Sequence, residues 1–238
     1  MTTIPPHQRA QADRPLPGIS PVGQPDWITV SEDYAVQLAE KRRLLAERPA
    51  AVLRVLPEAE APLAELLEDV LTLLRARPDF EVAGALVTTP DARRVALDDR
   101  PPLVILSELL QEDLCLHLPR AGEHYLAAAL LCFPASWTLS EKIGHPLSRI
   151  HLPVPDYDPN IAARVQRLFD GVQPGRPLWR ANCFRYEDPA LHHPRREADP
   201  RAPASPEARY LRSERQSLVR LPRSGAVVFA IRTVVEAL

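Results

Sequence analysis

RSERQSLVRLPRSGAVVFAIRTVV, residues 212–235, is the stretch on which the fold turns. Its two arms, 212–221 and 226–235, flank Pro222-Arg223-Ser224-Gly225. Pro followed by Ser-Gly makes a tight reversal, so the pattern predicts an antiparallel β-hairpin. Read as a strand, the first arm sets Glu214, Gln216 and Leu218 on one side and Ser213, Arg215 and Ser217 on the other. A strand inside a sheet buries at least one of its sides, and buried Glu or Arg is costly unless paired. A charged strand beside an apolar one therefore has two readings. It lines a polar pocket, or it is an edge strand whose charges prevent aggregation. Pattern alone leaves both open, the edge strand being the plainer. Arg180 and Asn182, on one side of a predicted strand over 178–184, pose the same question.

Working back from the hairpin, 188–207 is rich in Pro and charge and reads as a long loop. Asn160 is placed to cap a helix carrying Ile161, Val165, Leu168 and Phe169 on one face, and Thr138 or Ser140 to cap a short one ending at Ile143. The apolar run 124–133, HYLAAALLCF, is read as a central strand, although its alanines leave a helix open. Leu114, Leu116 and Leu118 alternate with Cys115 and His117, which fits a strand with one polar face. Residues 104–110 read as helix, and 80–88 and 94–97 as two short strands about Pro90-Asp91. Leucines at spacings of three and four predict a helix over 61–77. Another ends near Arg48-Pro49, with Ser31 as its N-cap and Lys41-Arg42-Arg43 on a solvated face. Residues 1–24 are Pro-rich and aperiodic and read as a disordered leader, leaving one domain over 25–238. Helices first, then mostly antiparallel strands: the class is α+β.

Composition excludes several functions. A net charge of −2 offers no field for nucleic acid. Arg far outnumbers Lys, with Lys41 and Lys142 the only lysines. Cys115, Cys132 and Cys183 form no CxxC, so a structural metal site or iron–sulfur cluster is not expected within the chain. No apolar run spans a bilayer and none resembles a signal peptide, which points to a reduced, cytoplasmic setting. GxGxxG, P-loop and GxSxG motifs are all missing. His145, His124 and the His192-His193 pair lack partners at ligand spacing. His151, between a helix end and Pro153-Val154-Pro155, has a fixed ring direction that suits metal ligation, although such rings more often bond to backbone.

Four blocks together carry a resemblance. They are PDWITVSEDYAVQLAEKRRLLAERP (25–49), CFPASWTLSEKIGHPLSRIHLPVPDY (132–157), WRANCF (179–184) and RSERQSLVRLPRSGAVVFAIRT (212–233). In this order they make the chain similar to the heme-dependent oxidative N-demethylase alpha-subunit-like family. The resemblance implies a PAS-like fold, an antiparallel sheet with flanking helices and an N-terminal helical extension, holding heme b. It also implies NADPH-dependent oxidation of a small secondary or tertiary amine, such as dimethylamine, with O₂ and release of formaldehyde. Electrons would come from separate flavin and iron–sulfur subunits, which fits a chain without a nucleotide motif or cysteine cluster.

By position, the resemblance makes His151 the axial iron ligand. It assigns Arg180, Arg212 and Arg220 to the heme, where a guanidinium suits a propionate, and Glu214, Arg215 and Asn182 to the catalytic side of the pocket. Glu214 is the expected anchor for a protonated amine. Departures from the family pattern fall at Cys183, Ser217 and Val234. Loss of aromatics at Cys183 and Val234 is expected to reshape the pocket. The rival expectations are a heme-PAS gas or redox sensor, and a binding module without heme.

Overall fold

The computed structural model describes residues 3–14, 18–153 and 158–238. The hairpin is the backbone of the fold. β9 (Tyr210–Arg220) and β10 (Val227–Ala237) pair antiparallel over eleven rungs, from Arg220↔Val227 to Tyr210↔Ala237. Gly225 closes the turn at φ +70°, a left-handed conformation that costs a residue without Cβ nothing. Each arm runs further at the chain-end side than the sequence pattern predicts.

Numbered in chain order, the remaining elements build outward from this pair. β8 (Leu178–Tyr186) lines β9, and β6 (Asp113–Arg120) lines β10. β7 (Glu123–Leu130) follows β6, and the short β2 (Leu53–Val55) and β1 (Ser20–Pro21) form the two edges. The sheet order is β1-β8-β9-β10-β6-β7-β2, with every pairing antiparallel. A second small sheet joins β3 (Glu81–Ala83), β4 (Leu86–Thr88) and β5 (Arg94–Ala96). The expected strand over 80–88 is thus two, because Gly84 turns at φ +56° between them. The α+β class holds, and the charged strand β9 is interior, not an edge.

Two layers cover the large sheet. On its back face α2 (Tyr34–Glu47), the single turn α3 (Pro49–Val52), α4 (Glu60–Arg75) and α5 (Pro102–Leu109) bury Leu38, Leu44, Val52, Leu66, Leu74 and Leu106 against Leu116, Val228 and Ala230. On its front face the segment 137–150, which ends in the single turn α6 (Leu147–Ile150), and α7 (Pro159–Gly171) cover Cys115, Leu126, Leu218, Val227 and Ile231. With neighbours on both faces the alanines of β7 are buried on both, and this packing selects strand over helix for 124–130. A one-residue bulge at Ala127 keeps His117 and Leu126 together on the front.

Several local expectations are corrected. Asp158, not Asn160, caps α7, accepting from the Ile161 N–H at 2.7 Å. Ser31 does not cap α2; its hydroxyl donates to Asp33. Lys41 is not on a solvated face: it is fully buried, 3.1 Å from Asp113, while Arg43 stays outside with Glu40 and Glu47. Nor do residues 1–24 form a structureless leader where they are described. α1 (Pro6–Ala12) lies over β8 and β9, and β1 joins the sheet. Gln8 donates to Ser213 at 2.7 Å, Arg9 pairs with Glu236 and Ile4 is buried. A seven-residue helix is too short to show a period, so tertiary contacts specify it.

Candidate functional site

Strand alternation brings Glu214, Gln216, Arg180 and Asn182 together on the front face. Asn182 stands opposite Glu214 and Arg180 opposite Gln216 across the β8–β9 pairing. The Glu214 side chain is buried, and neutral groups hold it. The Asn182 and Gln216 amides donate to the same carboxylate oxygen, Oε2, at 3.1 and 3.0 Å. Asn182 also accepts from the Glu214 N–H at 3.0 Å, which fixes its amide. Arg180 feels the Glu214 charge, but burial holds its guanidinium below the ordinary range, and its Nε has no hydrogen-bond partner among the described residues. Thr233, across from Glu214 on β10, has a buried hydroxyl that also lacks one.

His151 reaches the same face from the covering layer. It ends α6, whose Leu147 and Ile150 pack on the front-face clusters. Its Nδ1 meets the Leu147 carbonyl at 2.9 Å, which assigns the proton to Nδ1 and leaves Nε2 as the basic nitrogen. Burial keeps the ring below its ordinary pKa, with Lys142 adding to the effect against the Leu147 hydrogen bond. Two further histidines lie on the sheet beneath. His117 is pushed down to about 3 by burial and then by His124 and His151. His124 takes a hydrogen bond from Gln166 at 2.9 Å, and both rings contact Phe169 of α7. Sequence spacing could not find this cluster, because the bulge at Ala127 and α7 create it.

Between Glu214 and the histidines the front face is not sealed. Phe229, on the central strand, remains half-buried, as do Ile143, Ile150, Val165 and Leu168 opposite it. Half-buried apolar side chains on both sides of one layer boundary show that sheet and helices are not fully packed against each other there. Two surface concavities of about 400 and 760 Å³ lie elsewhere, one beside Glu187 and Tyr210, the other between Val36 and His192. Neither is lined by Glu214, Asn182, Arg180 or His151.

Three of the expected site residues are used differently. Arg215 points to the back face, donating to the Asp26 carbonyl at 2.8 Å and lying over the Trp179 ring. Arg212 donates to the carbonyls of Phe133, Ala190 and Leu191, tying the long loop to the sheet. Arg220 donates to Phe169 and Val172 carbonyls at the end of α7, each at 2.6 Å. Backbone carbonyls thus take most donors of these three guanidinium groups, although Arg212 Nε has no partner among the described residues; a catalytic role for Arg215 and a heme role for Arg220 do not follow. Cys183 and Val234 also alternate to the back face, opposite Asn182 and Thr233 in direction, so these departures do not reshape the front face. The Pro-Val-Pro hinge after His151 falls partly at 154–157, outside the described residues.

A sheet face with a buried carboxylate, a half-buried arginine and a histidine whose Nδ1 meets a carbonyl sits in a protein of the α+β class. More particularly, the chain belongs to the family described as haem-dependent oxidative N-demethylase, alpha subunit-like, whose model matches residues 18–238. Among the described residues no three His, Cys, Asp or Glu side chains converge to hold a metal ion by themselves. A heme asks less of the protein: one axial donor, apolar walls and a cation for its carboxylates. His151, the half-buried apolar side chains and Arg180 are of those kinds. No helix among the described residues is long and apolar enough to cross a membrane.

Proposed function

We propose that the chain is the heme-bearing subunit of an oxidative amine N-demethylase. The observation that carries this reading is Glu214, a buried carboxylate held by two neutral amides on the face that His151 approaches. When bound, the heme would supply oxidation of the carbon beside the amine nitrogen, using O₂ and electrons delivered from outside. His151 would be its axial donor, with the Leu147 carbonyl holding the ring in the required tautomer. Arg180, whose Nε is unpartnered, is the cation available to a propionate or to an oxygen bearing negative charge.

Glu214 would bind the protonated amine. A charge-assisted hydrogen bond to a buried carboxylate contributes about 1.5–3 kcal/mol. Asn182 and Gln216 would orient it: by binding Oε2 they direct the other oxygen, Oε1, to the substrate. A crevice at the loosely packed boundary between sheet and helices would favour a small secondary or tertiary amine over a bulky one, and the hydroxymethyl amine formed would release formaldehyde without further help. The chain has no motif for NADPH, flavin or an iron–sulfur cluster, so this reading includes a separate reductase subunit carrying them. Three free cysteines, two of them buried with their thiols pushed up by burial, suit a reduced cytoplasmic setting.

The test pairs two variants. His151→Ala loses or shifts the Soret band of the hemin-loaded protein, ferric and dithionite-reduced. Glu214→Gln keeps that band and weakens dimethylamine binding about tenfold to a hundredfold, the range its hydrogen bond implies. A wild-type protein that takes up no hemin overturns the heme reading. A Glu214→Gln protein with unaltered amine binding overturns the anchor.

A further inference from the structure

We propose that Glu197, in the long loop between β8 and β9, is a positioning residue for His151. The inference rests on the reading of His151 as the axial donor. α6 is one turn of four residues, too short to be stable alone, and the chain after it is exposed at Leu152. Something else must hold the His151 backbone. Lys142 donates to the Ile150 carbonyl at 2.6 Å, one residue before the histidine. The same ammonium meets the Glu197 carboxylate at 2.6 Å. Arg149, the residue before Ile150, grips both oxygens of Glu197 at 3.0 Å each in a bidentate pair. Among the described residues Glu197 is therefore the anion shared by Lys142, before the turn that ends in His151, and Arg149, within it.

The loop is fixed in return. The Glu197 N–H donates to the Glu141 carboxylate at 3.1 Å, and Thr138 donates to that same carboxylate. Two latches, one by side chain and one by backbone, thus join the loop to 138–151. With the Glu197 charge gone, Lys142, nearly buried, keeps only a carbonyl partner. Its flexible stem would carry the ammonium toward water and away from Ile150. The Leu147–His151 contact would then lose its support, and the ring its direction. The Lys142 pair is more buried than the neighbouring Arg149–Glu197 and Arg196–Glu141 pairs, which separates it from ordinary surface pairs.

The experiment is hemin titration of the full chain in four forms: wild type, Glu197→Ala, Lys142→Met and the double variant. Ferric and dithionite-reduced spectra are recorded for each, with His151→Ala as reference. Removing a group that orients an axial ligand is expected to weaken hemin binding about tenfold to a hundredfold and to shift the Soret band. Glu197 acts through Lys142, so the double variant binds hemin no more weakly than the worse single one. Glu197→Asp, which keeps the charge, restores part of the loss. If His151→Ala loses the Soret band while Glu197→Ala and Lys142→Met keep wild-type affinity and spectrum, the positioning role is overturned and the ligand reading stands. A lowered melting temperature with an unchanged spectrum also overturns it. If His151→Ala keeps the wild-type spectrum, the ligand reading falls and the positioning role falls with it.

Discussion

Two buried polar regions of this sheet are built on opposite plans. At the end where α2 begins, charges are met by opposite charges. Arg232 donates to Asp33 at 2.7 Å and to Gln37 at 2.8 Å, and Gln111 donates to Asp33 at 3.1 Å. Lys41 lies 3.1 Å from Asp113, an ion pair whose angle is poor for a hydrogen bond, and donates to the Glu112 carbonyl at 2.5 Å. On the front face, by contrast, the buried carboxylate Glu214 has only neutral amides as hydrogen-bond donors, and Arg180 and Thr233 keep unpartnered atoms. Both regions keep unpartnered buried atoms, Arg232 Nε and Glu112 Oε2 among them in the first, so charge is what separates them: Lys41 and Arg232 are paired with Asp113 and Asp33. Glu214 has no cation in hydrogen-bond contact among the described residues, and a buried carboxylate left so is what a binding site costs the fold.

The sharpest way to break this comparison is to neutralise one carboxylate in each region. Asp113→Asn leaves the fully buried Lys41 ammonium without its counter-charge and weakens the acceptor for the Phe133 N–H. Breaking such a pair costs about 3–5 kcal/mol, to be read from urea denaturation of the heme-free protein. Glu214→Gln keeps an oxygen for the Asn182 and Gln216 amides and strands no hydrogen-bonded cation. Its stability change is expected within about 1 kcal/mol. Equal losses would mean that Glu214 is structural and the contrast false.

The same contrast explains what was legible in the sequence. The hairpin follows from its turn residues and the strand at 124–130 from its apolar run, while period-two alternation puts Glu214 with Gln216 and Arg180 with Asn182; only the β8–β9 pairing brings the two together. The role of the arginines did not follow. A buried Arg in a motif reads as a ligand for an anion, yet Arg212, Arg215 and Arg220 reach backbone carbonyls of distant segments that no local pattern announces. Lys41 was misjudged for the same reason, since its partner lies on β6 and only the fold brings them together. The block at 25–49 supplies Asp33 and Gln37 to the network around Arg232, away from Glu214.

A smaller effect separates the regions by pH. The unfolded chain protonates His117 near its ordinary value of about 6.5, whereas the folded chain keeps it neutral down to about 3. A depressed folded pKa means that the unfolded state binds the extra proton, so stability present above about 6.5 is lost as pH falls toward the folded value. The slope contributed by one such group is about 1.4 kcal/mol per pH unit. Heme-free His117→Leu should show a slope shallower by one proton between pH 6 and about 4.5, measured as denaturation free energy against pH. Identical slopes would mean that water reaches His117 in the folded protein and that the histidine end of the crevice is open.

The smallest expected effect falls on α1, where the back face meets the family departures. Arg9 and Glu236 form a partly exposed pair, worth about 0.2–1 kcal/mol, and Gln8 to Ser213 adds about 1 kcal/mol. Cys183 lies under this helix, within the fields of Arg9, Asp13 and Glu236. Replacing it by the aromatic common in the family, Cys183→Trp, should therefore compete with α1 and leave the front crevice alone. Trypsin would then cut faster at Arg9, while hemin uptake and the ranking of amine substrates stay as in wild type. Faster cleavage with an altered substrate ranking would show that strain on the back of β8 passes through the strand to Asn182. The two faces would then be one mechanical unit, and the aromatic departures would bear on specificity through the backbone and not by lining the crevice.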